Sequence, residues 1–257
     1  EMRNHLPVAH HQGSMSFDVA APRQSAAIFQ KSQQRRSAES PRWAGSRLLA
    51  CWLVSAVLAV SADAPTSPPN NRVPEDLARA LPGANDETGF VPLFGRGATD
   101  GWAQCGPGGF TLTNGVATSH GGMGLWWHTN RMFTNFVLRG EWRFENRESD
   151  TGVFVRFADP GQDPWNAIKS GHELELGDDP EGKDPTWKTG TLYPFQPPTH
   201  VPTKPVGEWN SYEFIALGQT YIVRINGETV TVWTDPKQRS AAGYLGLQNY
   251  QDGKGAQ

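Results

Sequence analysis

The sequence predicts an all-β fold over residues 89–257, a sandwich or jelly roll of two packed antiparallel sheets. Three observations carry this reading. Apolar and polar residues alternate through several short segments, two Asn-Gly pairs sit between such segments, and no helical run of ten or more residues follows Gly89. Composition agrees: 28 glycines, 20 prolines and only 19% charged residues among 257 fit strands and turns better than helices.

Residues 1–46 are polar, rich in Gln, Ser, Arg and Ala, and have no clear period. They are expected to be disordered, or an N-terminal extension mis-assigned to the protein, with Met2 and Met15 as alternative starts. Residues 47–64 read as a signal peptide. Arg47 precedes an apolar run, Leu48 to Val60, far shorter than the ~20 residues of a membrane-spanning helix. Small residues follow, so cleavage is expected after Ala62 or Ala64. A buried helix or a membrane anchor is the alternative. The signal reading implies a secreted or periplasmic protein with no stable membrane insertion after processing. Residues 65–88 read as a linker carrying a short helix, Glu75 to Leu81, stopped by Pro82-Gly83.

From Gly89 onward the period is two. Phe136, Leu138, Trp142 and Phe144 share one face of a strand, and Gly152–Phe157 and Trp209–Leu217 are further strands. Thr220–Ile225 and Glu228–Trp233 flank Asn226-Gly227, the signature of a type I′ hairpin turn; Asn114-Gly115 marks a second hairpin. About ten short strands with intervening turns suit a two-sheet architecture.

Residues 1–62 carry a net charge of +4 and the rest −7. An acidic folded part argues against nucleic acid as a partner, which needs a basic stripe. Of two cysteines, only Cys105 lies in the domain, and its histidines have no metal-ligand spacing.

The sharpest chemical feature is Gly171-His172-Glu173-Leu174-Glu175-Leu176-Gly177-Asp178. On a strand, residues two apart point the same way, about 6.6–7 Å apart. Glu173 and Glu175 then share a face while Leu174 and Leu176 enter the core, and a bulge or turn at Gly177 brings Asp178 beside the acids. Clustered carboxylates raise one another's pKa and suit an acid/base pair, a divalent-cation site or a hydroxyl-binding cluster; a solvated strand edge is the alternative. Arg156 sits mid-strand at the period of Phe154. A mid-strand arginine ordinarily faces water; on the glutamate face it would be counter-ion and substrate clamp. Eight of ten tryptophans lie beyond residue 100, and aromatic faces stack on the C–H faces of sugars. Half of them, Trp142 and Trp233 especially, are expected in the core. The proline-rich segment Asp178 to Gly207 follows the glutamate strand directly and is expected to wall the same pocket.

Several short motifs occur in order: Gly89-Phe90-Val91-Pro92-Leu93-Phe94, Asp100-Gly101-Trp102, Asn135 to Trp142, Thr151 to Arg156, Glu173-Leu174-Glu175-Leu176, Thr189 to Tyr193, Gly207 to Tyr212 and Gly243 to Gln248. This series resembles the 3-keto-disaccharide hydrolase family, whose fold is a concanavalin-A-like jelly roll. The resemblance implies hydrolysis of glycosides already oxidised at C3. It also implies one further strand beyond Gln257, so the C-terminal sheet edge is expected to be incomplete. The family often has Gln at the position of Glu175 and His at that of Tyr250.

The expected catalytic residues are Glu173 or Glu175 as base and Arg156 as stabiliser of the enolate. The expected substrate-binding residues are Asp178, His172, Tyr193, Lys188, Trp127, Trp209, Gln248 and Tyr250. No cofactor is assigned, and a divalent cation stays open. The partner is a carbohydrate, a 3-keto-glycoside or an oligosaccharide. Two other readings stand beside this one: an endo-β-glucanase on the same fold, and a non-catalytic carbohydrate-binding module, favoured if Arg156 faces away from the glutamates.

Overall fold

A computed structural model describes residues 17–20, 27–29, 71–83, 86–94, 100–145, 147, 149–177 and 184–250. They all belong to one unit, Glu1–Lys31 with Asn71–Gln257. The strands are β1 (Phe17–Ala20), β2 (Ala27–Phe29), β3 (Phe90–Pro92), β4 (Trp102–Cys105), β5 (Gly109–Thr113), β6 (Val116–His120), β7 (Gly124–Phe133), β8 (Phe136–Phe144), β9 (Asp150–Phe157), β10 (His172–Gly177), β11 (Leu192–Tyr193), β12 (Asn210–Leu217), β13 (Thr220–Ile225), β14 (Glu228–Thr234) and β15 (Gly243–Asn249). Two short helices, α1 (Glu75–Ala78) and α2 (Asn166–Ser170), and a 3-10 turn at Pro185–Trp187 complete the described elements.

The strands form two antiparallel sheets packed as a jelly roll. The six-stranded sheet runs β11-β10-β9-β15-β7-β4; the nine-stranded one runs β14-β13-β12-β8-β1-β6-β5, with β2 joining β8 to β3. Both predicted Asn-Gly hairpins form. Asn226 and Gly227 have φ of 50° and 86°, and Asn114 and Gly115 have 53° and 83°, the pair of positive angles that a type I′ turn requires.

Strand alternation fills the space between the sheets. Phe136, Leu138, Trp142 and Phe144 of β8 meet Val153 and Val155 of β9, Leu174 and Leu176 of β10, and Leu245 and Leu247 of β15. Burying each such side chain contributes roughly 1.5–3 kcal/mol. Gly140 keeps the same phase on β8 but has no side chain, and the Tyr212 ring fills the place where a Cβ would stand.

Two parts of the expected domain organisation give way. Residues 17–20 and 27–29, read as lying outside the fold, are strands: β1 pairs with β6 and β8, and β2 pairs with β3 and β8. Sheet pairing satisfies backbone groups whatever the average polarity of the segment. The segment read as a linker also packs on the domain from residue 71. Val73, Leu81 and Phe90 cover Val137, Ile215 and Ile222 on the outer face of the nine-stranded sheet. Arg139 fastens it, donating to the carbonyls of Gly83 and Asp86 at 2.8 Å each and pairing with Glu87 and Glu213. The helix forms as expected but covers only Glu75–Ala78. The signal-like segment 47–64 and residues 251–257, which lead to the further strand expected beyond Gln257, lie outside the described residues, and no helix among the described residues is long and apolar enough to cross a membrane.

Candidate active site

The candidate site lies on the outer face of the six-stranded sheet. In β10, Leu174 and Leu176 face the core, so Glu173 and Glu175 face outward. The register aligns Glu173 with Phe154 and Glu175 with Gly152 on β9, and Leu247 of β15 with Val153. Asp150, Gly152 and Phe154 share the glutamate face by the same alternation, as does Gln248 on β15. The chain between β9 and β10 then folds back over this face. Ala167 of α2 is buried among Cys105, Leu125, Phe154 and Phe157, which leaves an open cleft over β10, β9 and β15. Asp150, Trp165, Ile168, Glu173, Glu175, Trp187, Tyr193, Gln248 and Tyr250 line it.

Its electrostatics centre on Glu173. The residue is 2% exposed, and burial, with the Asp150 charge adding to it, pushes its carboxyl well above the ordinary carboxylate range. Gly152 leaves the space into which the Glu173 side chain leans. Tyr193 sits opposite Glu173 in the β10–β11 pair. Its phenol is also pushed up, first by burial and then by Glu173, Glu175 and Asp150. The cleft therefore offers a buried carboxyl group with a raised pKa, further carboxylates, a phenolic donor and the Gln248 amide. Among the described residues no group of three or more His, Cys, Asp or Glu is placed to hold a metal ion.

Five residues expected from sequence meet here: Glu173, Glu175, Tyr193, Gln248 and Tyr250. Arg156 does not. It has φ 54° and occupies a bulge, since Val155 pairs with Leu245 and Phe157 with Tyr244, leaving Arg156 without an opposite. The bulge breaks the alternation that was to place it beside Glu173. Arg156 is 1% exposed, and its guanidinium donates to the Thr134 carbonyl (2.8 Å), the Gly218 carbonyl (2.6 Å) and the Tyr221 hydroxyl (3.0 Å). His172 also lies elsewhere, because it shares the phase of Leu174. It is buried against the Tyr221 ring, with Nε2 3.2 Å from Asp235. Burial lowers its pKa to about 4 despite Asp235.

Trp127 is on the correct sheet face but packs against Phe157 and Tyr244 away from the cleft. Trp209 precedes β12 in the opposite sheet, under the Arg143 guanidinium. Lys188 follows the 3-10 turn without lining the cleft. Asp178 lies outside the described residues. The loop expected to wall the pocket does so through Trp187 and Tyr193. Sequence reasoning missed Asp150, Trp165, Ile168 and Trp187. Asp150 was legible: it sits two residues before Gly152, in phase with Phe154.

The fold and site together define an all-β jelly-roll domain with an acidic, aromatic-walled cleft on one sheet. Over residues 89–255 the sequence matches the family described as 3-keto-alpha-glucoside-1,2-lyase-like domain, and the chain belongs to that family, a carbohydrate-related one. Among solved structures, a candidate glycosyl hydrolase of Parabacteroides distasonis ATCC 8503 is 18% identical, with 58% of this chain and 82% of that chain covered and a TM-score of 0.48. A second from the same organism is 20% identical, covering 64% and 80%, with a TM-score of 0.47. The carbohydrate-binding module CBM66 of Bacillus subtilis is 13% identical, covering 58% and 88%, with a TM-score of 0.42. No curated protein matches.

Proposed function

We propose that the domain breaks the glycosidic bond of 3-keto-glycosides by elimination followed by hydration, after export of the protein. The observation that carries this is the meeting of Glu173, Glu175 and Asp150 in one cleft, with the Glu173 carboxyl buried and its pKa raised by that burial. A ketone at C3 acidifies the hydrogen on C2. Glu175 takes that proton, and charge moves onto the C3 oxygen, to which the Tyr193 hydroxyl and the Gln248 amide donate. The C1–C2 double bond forms as the C1–O bond breaks, and the leaving oxygen takes the proton of Glu173. Water then adds at C1 and gives a proton to Glu173 while Glu175 returns its proton to C2, restoring the 3-keto sugar and both carboxyl groups. Arg156 has no part in this scheme.

The test is release of free sugar from a 3-keto-disaccharide, with an unmodified β-glucan as control. Glu173→Gln and Glu175→Gln should each abolish release; full turnover in both variants would sink the assignment. A non-catalytic carbohydrate-binding domain is the second reading, favoured by one observation: Arg156 is turned away from the glutamates. Binding of the sugar with no release by the wild-type protein would select it. Export rests on residues 47–64 and is checked by sequencing the N terminus of the mature protein.

A further inference from the structure

Two tryptophans outside the strands border the cleft and reach water. Large apolar side chains are exposed at five described positions, and Trp165 (42%) and Trp187 (38%) are two of them. An indole left in water forgoes the free energy of its burial, so a pair converging on one cleft suits an occupant with apolar faces.

The two are set on opposite sides of the acidic floor. Trp165 immediately precedes α2 and meets Tyr250 edge to face, with centroids 6.0 Å apart. Trp187 ends the 3-10 turn beside β10. A Cβ built on Gly177 would come within 3.0 Å of its carbonyl oxygen, and the Thr189 hydroxyl bonds the Gly177 backbone. Gly177 pairs with Asp150, and Asp150 bridges to Tyr250. From Gly177, where the Trp187 carbonyl stands over the face, to Tyr250 the row spans two strand intervals, about 10 Å. Sandwiching one sugar ring between two indoles takes two van der Waals contacts of about 4 Å, roughly 8 Å in all. The floor is wider than that, and its carboxylates lie between the walls.

We infer that Trp165 and Trp187 determine specificity by stacking on two different pyranose rings, one on each side of the bond above the floor carboxylates. This rests on the proposed reaction only for the position of that bond.

The test uses the full chain with Trp165→Ala and Trp187→Ala. Calorimetric titration compares a thio-linked 3-keto-disaccharide, which resists cleavage, with methyl 3-keto-glucoside. Each variant should weaken binding of the disaccharide about tenfold, whereas only one of them should weaken binding of the methyl glycoside. Equal weakening of both ligands by both variants would mean one ring held between the two indoles and would overturn the inference. So would unchanged affinities, or a wild-type protein that binds neither ligand. A wild-type protein that binds the thio-linked disaccharide but releases no sugar from its oxygen-linked counterpart removes the proposed reaction and leaves the two-ring site standing, provided the variants separate the ligands as expected.

Discussion

Glu173 occupies the space that a side chain on Gly152 would need: a Cβ built there would collide with its carboxylate. Gly152 lies on the neighbouring strand, opposite Glu175. Gly152→Ala should therefore displace the Glu173 carboxyl while leaving a β fold visible by circular dichroism. Release of sugar from a 3-keto-disaccharide should drop about a hundredfold, the scale of a small misplacement of a reacting group. Undiminished turnover would mean that Glu173 does not act in the reaction.

Two buried groups oppose each other in the pH dependence of stability. Glu173 has a folded pKa above its unfolded value, so its contribution is fully present below about pH 4.5 and is lost as pH rises through the folded pKa. His172 has a folded pKa of about 4 against 6.5, so its contribution is present above 6.5 and lost as pH falls toward 4. Glu173→Gln removes the first effect. The variant should melt higher than wild type at pH 8, by at least about 2 °C, with the gap closing near pH 4. Thermal melts across that range decide the matter, and a gap that widens toward acid would contradict it.

Arg156 is expected to matter for stability rather than for substrate. Arg156→Ala strands the Thr134 and Gly218 carbonyls and should cost on the order of 3 kcal/mol. Below its melting temperature, the variant should keep the wild-type KM. A raised KM with an unchanged melting temperature would restore Arg156 to the site.

The domain boundary can be tested by truncation. A chain beginning at Asn71 keeps Val73 and Leu81 over Val137, Ile215 and Ile222; one beginning at Gly89 exposes that patch. The shorter chain should melt several degrees lower and bind a hydrophobic dye, whereas equal melting temperatures would return residues 71–88 to the status of a linker. Arg139→Ala should reproduce part of the loss by releasing Gly83 and Asp86.

What the sequence disclosed followed from local rules. Alternation set Glu173 and Glu175 outward and Leu174 and Leu176 inward, and Asn226-Gly227 closed its hairpin, because both depend on backbone geometry within a few residues. The same alternation, applied to β10 as a whole, excludes His172 from the glutamate face. Arg156 escaped because a bulge is a property of two paired strands: β15 lacks a residue opposite it, and nothing in Val155-Arg156-Phe157 shows that. Trp165 and Trp187 escaped because they sit on connecting segments whose fold-back over the sheet is set by tertiary packing. The cover provided by residues 71–83 was hidden by their high content of proline and polar residues, although Val73 and Leu81 bury enough to anchor them.

The position of β1 in the nine-stranded sheet would couple folding to the proposed signal cleavage. It runs between β6 and β8 yet precedes the apolar run of residues 48–60 in the chain. Scission after Ala62 or Ala64 would leave β1 and β2 on the severed piece. The processed domain would then hold the two strands only through unlinked hydrogen bonds, or would present the facing edges of β6 and β8 to any other extended peptide able to dock there.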